Sequence, residues 1–386
     1  MIDPALPPEC YTDSFWFNLE QEKIFKKLWL FVGLENQIKD ENDFIARDFS
    51  GIPVLVQKVD GQLRAFRNAC AHRGMPLQVQ SCGNRKLICP YHGWSFRSDG
   101  KLRGIPNEKI YNICKSKKES LSLEKYAVCA IGSFVFVNLS ADPLPIEDQL
   151  SEDMQTVLRE FSIHFATEVS YTSFSGEYNW KLNFENILDW NHAQFVHAKT
   201  LAPLLAFEKN GTFSAAQPNE SLIFTPNTPL GNVIFSGDIP LTGKILLRNI
   251  SRIGRSSMPY TNRWFSDLLE NSVDRGAFSA CNIFPNMNFG SINGEHFFIQ
   301  QYVPMAADRV QYHSWVLTAK LKKGLPAQPH LLWGIHHAEK KVIDEDIVLF
   351  QALQKTLATA SSSGTLGDHE ASLAAVGLWY MQNLKD

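Results

Sequence analysis

Apolar and polar positions alternate with different rhythms along this chain, and each rhythm predicts a different element. From about Thr12 to Leu30, the positions Phe15, Leu19, Ile24, Leu28 and Phe31 form an apolar stripe. A core-facing helix is expected there, with Thr12, Asp13 or Ser14 as its N-cap. The next stretch, 36–145, reads as all-β. Runs such as IPVLVQKV (52–59) and SFVFVNL (133–139) are punctuated by Ser50-Gly51, Asp60-Gly61 and Asp99-Gly100, pairs that favour hairpin turns. Asp142-Pro-Leu-Pro marks a boundary. Beyond it Leu150, Met154, Leu158 and Phe161 predict a helix over 146–161, and EVSYTSFSGEYNW (168–180) reads as a strand leading into another helix. Residues 198–260 are rich in Pro, Asn, Gly and Thr with little periodicity, as in a loop over a site or a tolerated insertion. Strand signals return from Phe278 to Thr318, in NIFPNMNF, EHFFIQQYVP and RVQYHSWVLTA. Alternation puts Phe298, Gln300 and Tyr302 on one strand face, which lines a pocket or packs as a cross-strand core. A long helix is expected from about Gln328 to Leu357. The predicted layout is an arm and helix (1–35) packing on the C-terminal domain, an all-β domain (36–145) and a mixed domain (146–386). The fold class is α+β.

Composition narrows the partners. The 386 residues carry a formal charge of −3 and 44% hydrophobic residues, with a pI near 6.4. That balance gives no case for nucleic acid or an anionic membrane as partner, and no apolar run reaches membrane-spanning length. The start, MIDPALPPEC, lacks the pattern of an export signal. Cys10, Cys82, Cys114, Cys129 and Cys281 read as reduced thiols, and a cytoplasmic location is expected.

Two constellations carry candidate chemistry. Asp189, His192 and His197 fall within NWKLNFENILDWNHAQFVH (179–197). Two histidines and one distant carboxylate can hold a non-haem Fe(II) on one face, leaving the opposite positions for O₂ and substrate. Asp189 and His192, at i,i+3, share a helix face, whereas His192 and His197, at i,i+5, do not. A bulge near Ala193–Phe195 is therefore expected. Upstream, Cys70-Ala-His72 is followed after sixteen residues by Cys89-Pro-Tyr-His92. Two Cys and two His in this order are the ligand set of a Rieske [2Fe–2S] centre. A structural zinc site also uses these residue types, but usually pairs its cysteines as C-x₂₋₄-C. Gly74 and Gly93 follow the ligands where backbone must pass close to the cluster. The basic run Lys115–Lys118 reads as a solvated loop or as a dock for an acidic ferredoxin.

With these motifs in order, the chain resembles the catalytic α component of Rieske non-haem iron oxygenases. The residues carrying the likeness are C-A-H-R-G-M-P-L (70–77), C-P-Y-H-G-W-S-F (89–96), N-W-K-L-x-x-E-N-x-x-D-x-x-H-x-x-x-x-H (179–197) and D-E-D-I-V-L-F-Q-A-L-Q (344–354). The resemblance implies that Cys70, His72, Cys89 and His92 hold the cluster, and that His192, His197 and Asp346 hold a mononuclear Fe(II). Glu345 remains the competing carboxylate. Asp189 is implied to bridge one subunit's cluster to the next subunit's iron in a head-to-tail homotrimer, accepting a hydrogen bond from the outer N–H of His192. Met75 and Tyr91 stand where respiratory Rieske proteins carry disulfide cysteines. The segment L-D-W-N-H-A-Q-F-V-H looks most like the dicamba and vanillate O-demethylases. An all-β Rieske domain joined to a catalytic domain with an antiparallel sheet covered by helices (helix-grip, START-like) is expected. His164, His296, His313, His330, His336, His337 and His369 match no ligand in the pattern, and His336 and His337 are expected at the surface.

The expected activity is terminal oxygenation. Dioxygen reacts poorly with closed-shell molecules, so cofactors must carry the chemistry. No G-x-G-x-x-G follows a strand and no second set of cluster cysteines is present. A separate NAD(P)H-dependent reductase, with or without a ferredoxin, is therefore implied. Hydroxylation or oxidative demethylation of a small, aromatic substrate is expected, with cis-dihydroxylation and quaternary-amine oxygenation as alternatives. A Rieske electron-transfer protein would leave the second constellation unused, and a zinc-binding interaction protein would be colourless.

Overall fold

The computed structural model describes residues 6–189, 192–201, 252–257, 263–270, 277–367 and 370–384. His369 and most of the low-periodicity stretch 198–260 lie outside the described residues. The chain divides into two compact units, Phe25–Ile146 and Met1–Ile24 with Glu147–Asp386.

The N-terminal helix is shorter than its stripe predicts. Helix α1 (Glu9–Thr12) and helix α2 (Ser14–Glu20) are separated by Asp13, whose side chain accepts the Phe15 N–H at 2.8 Å. A π-helical turn over Gln21–Phe25 follows, and Trp29–Leu34 is strand β1. The expected segment 1–35 is thus divided at Ile24/Phe25, and Phe15 is exposed. The reason is physical: WLFVGL is buried on both faces, and a continuous apolar run has no period to separate strand from helix.

The Phe25–Ile146 unit is built on one antiparallel seven-stranded sheet. Its strands are β1, β2 (Asp43–Phe49), β3 (Ile52–Val59), β4 (Gln62–Arg67), β5 (Cys82–Asn84), and, past a small β6–β7 pair (Ser95–Phe96, Leu102–Gly104), β8 (Lys125–Ile131) and β9 (Phe134–Asn138). The spatial order is β1-β9-β8-β4-β3-β2-β5. Ser50-Gly51 and Asp60-Gly61 both have paired positive φ angles, as two-residue hairpins require. Lys115–Lys118 opens a short helix, α3 (Lys115–Ser120), in place of the expected loop, and Lys118 pairs with Glu108 at 2.6 Å.

In the other unit, the helix expected over 146–161 is two helices, α4 (Ile146–Gln149) and α5 (Glu152–His164), because Ser151 caps the second by accepting the Met154 N–H. Strand β10 (Ser170–Gly176) leads to α6 (Trp180–Leu188) and the short α7 (Ala193–Val196). Strands β11 (Arg252–Ser257), β12 (Ala277–Ile283), β13 (Met287–Ile292), β14 (His296–Ala306) and β15 (Arg309–Thr318) complete an antiparallel sheet ordered β10-β15-β14-β13-β12-β11. A turn at Phe284–Asn286 splits NIFPNMNF between two strands, since Pro285 cannot donate to a ladder. Helix α8 (Pro329–Leu357) packs on β10 and β15, and α9 (Ala371–Leu384) follows. The architecture is α+β, an all-β domain plus an antiparallel sheet with helices. No helix among the described residues is long and apolar enough to cross a membrane.

Buried polar contacts fix the start of α6. Glu20, fully buried, accepts from Lys181 Nζ at 2.5 Å, from Trp180 Nε1 at 2.7 Å and from the Tyr380 hydroxyl. Such a pair is tolerated inside a protein only when its remaining hydrogen bonds are satisfied.

Candidate metal centres and cavity

Cys70 and Cys89 sit on two loops of the same design. In each, the cysteine N–H donates to a carbonyl five residues on (Met75, Trp94; 2.8 Å both), and the cysteine carbonyl accepts the N–H of the glycine four residues on. Those glycines, Gly74 and Gly93, have φ of 74° and 70°, a turn conformation costly for other residues. Both thiols are buried in an apolar cluster with Phe66, Leu77 and Leu87. Burial pushes the Cys70 thiol up to about 11, so its thiolate needs a cation beside it. His72 and His92 remain partly exposed, with ring centroids 4.8 Å apart. Trp94 stacks on His72 at 4.6 Å and Tyr91 on His92 at 3.9 Å. Two buried thiols, with two imidazoles toward the surface, fit a [2Fe–2S] centre of the Rieske type.

The second group lies where α6 ends. Asp189 leaves the helix with φ −101° and ψ 109°, and His192 then caps α7, with His197 at its far end. The break between the histidines' helix and α6 therefore falls at Asp189, not over Ala193–Phe195, which is regular helix. His192, His197 and Asp346 offer ligand atoms that all lie within 4.8 Å of one another. Their hydrogen bonds set the tautomers. His192 Nδ1–H donates to the backbone carbonyl of Asp189 and Asn186 Nδ2 stands 3.3 Å from Nε2. His197 Nδ1–H donates to Glu345 Oε2 at 2.9 Å, and Thr200 Oγ1 donates to the same oxygen at 2.6 Å. His197 Nε2 then faces Asp346 Oδ1 at 3.2 Å with its lone pair, and His192 Nε2, which accepts from Asn186, lies 3.9 Å from the same oxygen. That oxygen is buried and has no hydrogen-bond partner among the described residues. Burial alone would lower the His197 pKa, but Asp346 and Glu345 outweigh it and the net shift is upward. Lone pairs converging on a carboxylate repel unless a cation sits between them, so the donor set fits a mononuclear metal of the two-histidine, one-carboxylate type.

Glu345, the competing carboxylate, stands behind His197 and orients it. The carboxylate of Asp189 is 3.8 Å from His192 Nδ1, and the N–H expected to reach it donates to the Asp189 main-chain carbonyl instead. A carbonyl one turn back is nearer than its own side chain. Asn186 and Thr200 carry no motif: the end of α6 brings Asn186 to His192, and the docking of α8 brings Glu345 to Thr200.

These residues open onto a cavity of about 720 Å³. Phe298, Gln300 and Tyr302 line it from β14, so that face points inward. Opposite them, α8 presents Ile335, Glu339 and Asp346. His337 is exposed at the lining, but His336 is buried, its Nδ1 sharing a hydrogen bond with Ser170 Oγ at 2.6 Å. The surface expectation therefore fails for His336, because a long helix packed on a sheet buries one flank.

Comparison with known proteins matches the chain to two domain families. Residues 28–121 match the Rieske [2Fe-2S] domain, and residues 162–386 match the ring hydroxylating alpha subunit (catalytic domain). The glycine betaine monooxygenase oxygenase subunit of Pseudomonas aeruginosa is 30% identical over 206 residues, 53% of this chain and 47% of that protein. The carnitine monooxygenase oxygenase subunit of Escherichia coli is 33% identical over 200 residues, covering 50% and 52%. The anthranilate 1,2-dioxygenase large subunit of Acinetobacter baylyi is 33% identical over 202 residues, covering 49% and 41%. The chain spans about half the length of the curated relatives it matches. These relatives replace the expected likeness to dicamba and vanillate O-demethylases. A crystal structure of a quaternary ammonium Rieske monooxygenase shares the fold at TM-score 0.72 and 20% identity, over 99% of this chain and 96% of that one. Naphthalene 1,2-dioxygenase from Rhodococcus does so at TM-score 0.70 and 19% identity, over 99% and 95%. With the catalytic-domain match spanning more than half of its residues, the chain belongs to the ring-hydroxylating alpha subunit family, preceded by a Rieske domain.

Proposed function

We propose that this chain is a terminal oxygenase component that hydroxylates or oxidatively demethylates a small organic substrate with O₂ and electrons from a separate NAD(P)H-dependent reductase, with or without a ferredoxin. The observation that carries the reading is the convergence of His192, His197 and Asp346 at the wall of a 720 Å³ cavity, in a chain that also bears the paired Cys/His loops. Two relatives described as monooxygenases favour monooxygenation over cis-dihydroxylation, while the dioxygenase relative keeps that alternative in view.

In this reading Cys70, His72, Cys89 and His92 hold the [2Fe–2S] cluster, and His192, His197 and Asp346 hold Fe(II). When bound, the cluster would supply single electrons and the iron would activate O₂. The protein's own share is placement. Glu345 and the Asp189 carbonyl lock the two imidazoles with Nε2 toward Asp346, and Phe298 and Ile335 keep the cavity wall apolar. The Asp189 side chain serves the path between neighbouring subunits of a cytoplasmic homotrimer.

The test is turnover of the iron-replete protein with a surrogate reductase, NADH and a panel of aromatic acids, methyl ethers and quaternary amines. Substrate-dependent O₂ uptake matched by hydroxylated or demethylated product is expected. A fully loaded protein that transfers electrons but never oxygenates any of them would leave the electron-transfer reading in its place.

A further inference from the structure

The cavity has two walls that run side by side. On β14, His296, Phe298, Gln300 and Tyr302 alternate inward, and on α8, Glu339 and Asp346 are seven residues apart on one helix face. Seven residues are two turns, about 10 Å along the axis. The walls meet away from Asp346, where His296 Nε2 lies 2.9 Å from Glu339 Oε1. The chemistry of that end can be read from its donors. Arg263 Nη1 is always a donor and stands 3.3 Å from His296 Nδ1, so Nδ1 accepts and the single imidazole proton sits on Nε2, pointing at Glu339. His296 is therefore neutral. The Arg263 guanidinium lies 3.9 Å from the buried Glu295, which also accepts from Ser266 at 2.5 Å. These two charges offset each other. Among the described residues, Glu339 receives a neutral N–H and no cationic partner, although its side chain is only 15% exposed. Lys199 and Lys341 also line the cavity but are exposed and solvated. Two residues along β14 from His296 the same cavity wall is aromatic. Phe278 and Phe298 stack with centroids 6.0 Å apart, and both line it.

We infer that Glu339, held by His296, is a specificity-determining residue that takes the cationic nitrogen of the substrate, with Phe298 offering its ring face. A largely desolvated carboxylate without a counter-ion favours a cation, and an aromatic face attracts an ammonium group. The nitrogen at Glu339 and the carbon presented to the metal end would be separated by several bonds, since the two ends are about 10 Å apart. The substrate class is thus an amine or quaternary ammonium compound with an extended carbon skeleton. The inference rests on reading this cavity as the oxygenase site, but its test needs no turnover and so fails independently of it.

The test is equilibrium dialysis of the iron-replete protein against three probes of one shape: trimethyl(phenethyl)ammonium, its neutral tert-butyl isostere and the phenylpropanoate anion. The cation should bind about tenfold or more tighter than the neutral isostere, and the anion most weakly. Glu339→Gln keeps an oxygen for the His296 N–H and should remove that preference, leaving the neutral probe, the cluster spectrum and the iron content unchanged. Equal binding of cation and isostere by the unaltered protein, or preference for the anion, would overturn the assignment. So would a Glu339→Gln protein that still prefers the cation, or a native protein that binds no cation at all.

Discussion

The loops at Cys70–Met75 and Cys89–Trp94 each close on themselves through short main-chain hydrogen bonds, whereas the His192, His197 and Asp346 group closes only when α8 is docked, with His197 and Glu345 148 residues apart in sequence. The first centre is a local device repeated twice. The second is a product of tertiary packing, held from behind by Glu345, Thr200 and the Asp189 carbonyl. Damage to one should therefore leave the other intact, and damage to remote packing should be felt by the second alone.

The largest expected effect is on the local device. Cys89→Ser should abolish the red-brown Rieske spectrum, because a serine oxygen is a poor replacement for a cluster thiolate. The mononuclear iron should remain bound. Persistence of the full visible spectrum in this variant would remove Cys89 from the ligand set. The converse substitution is Asp346→Ala, which should lose mononuclear iron and oxygenation while the cluster spectrum stays. Glu345→Ala, which unlocks His197 without removing a ligand, should weaken iron binding by about 10–100-fold. If Glu345→Ala empties the site and Asp346→Ala does not, the ligand assignment moves by one residue.

How legible these centres were follows from the same contrast. Within C-x-H and within C-x₂-H the paired ligands are close neighbours in sequence, so the string itself displays the ligand set, and the glycines announce the turns. The i,i+5 spacing of His192 and His197 called for a bulge over Ala193–Phe195, but the two stand at opposite caps of the regular helix α7, and the chain breaks before them, at Asp189, which no residue there announces. Asp346 beside Glu345 became distinguishable only through which one His197 Nδ1–H reaches. The continuous apolar run Trp29–Leu34 hid a strand inside an apparent helix, and the network at Glu20 joins residues 160 or more positions apart. His296 and Glu339 carry no motif at all. Only the sheet and α8 bring them together.

A smaller effect should appear at Asp189. Its main-chain carbonyl positions His192, so Asp189→Ala should leave both metal sites in place while slowing substrate-dependent reoxidation of the chemically reduced cluster. Loss of mononuclear iron in this variant would make the side chain structural, and normal reoxidation with product would move the path elsewhere.

The mildest test concerns the packing beneath α6. Glu185 accepts from the Tyr11 hydroxyl at 2.7 Å, and enclosure of its carboxyl raises its pKa from 4.5 to about 7, against the opposing Tyr11 hydrogen bond and Lys181 charge. The folded state therefore holds a proton that the unfolded chain has lost, so this residue's contribution to stability declines as pH rises from 4.5 through 7. Glu185→Gln keeps the acceptor and should stabilise the unit bearing α6 by about 1–2 kcal/mol at pH 8, allowing for the surface this residue retains, and by little at pH 5. The midpoint of the Phe25–Ile146 unit should not move. A loss of stability at pH 8 would show that the carboxylate charge is needed for packing.

The central claim, two independent iron sites in one chain, is tested most directly by counting iron and acid-labile sulfide in anaerobically purified protein. The unaltered chain should hold about three irons and two sulfides, Asp346→Ala about two and two, and Cys89→Ser about one and none. Zinc in place of iron, or about two irons in the unaltered protein with no further loss in Asp346→Ala, would contradict the account.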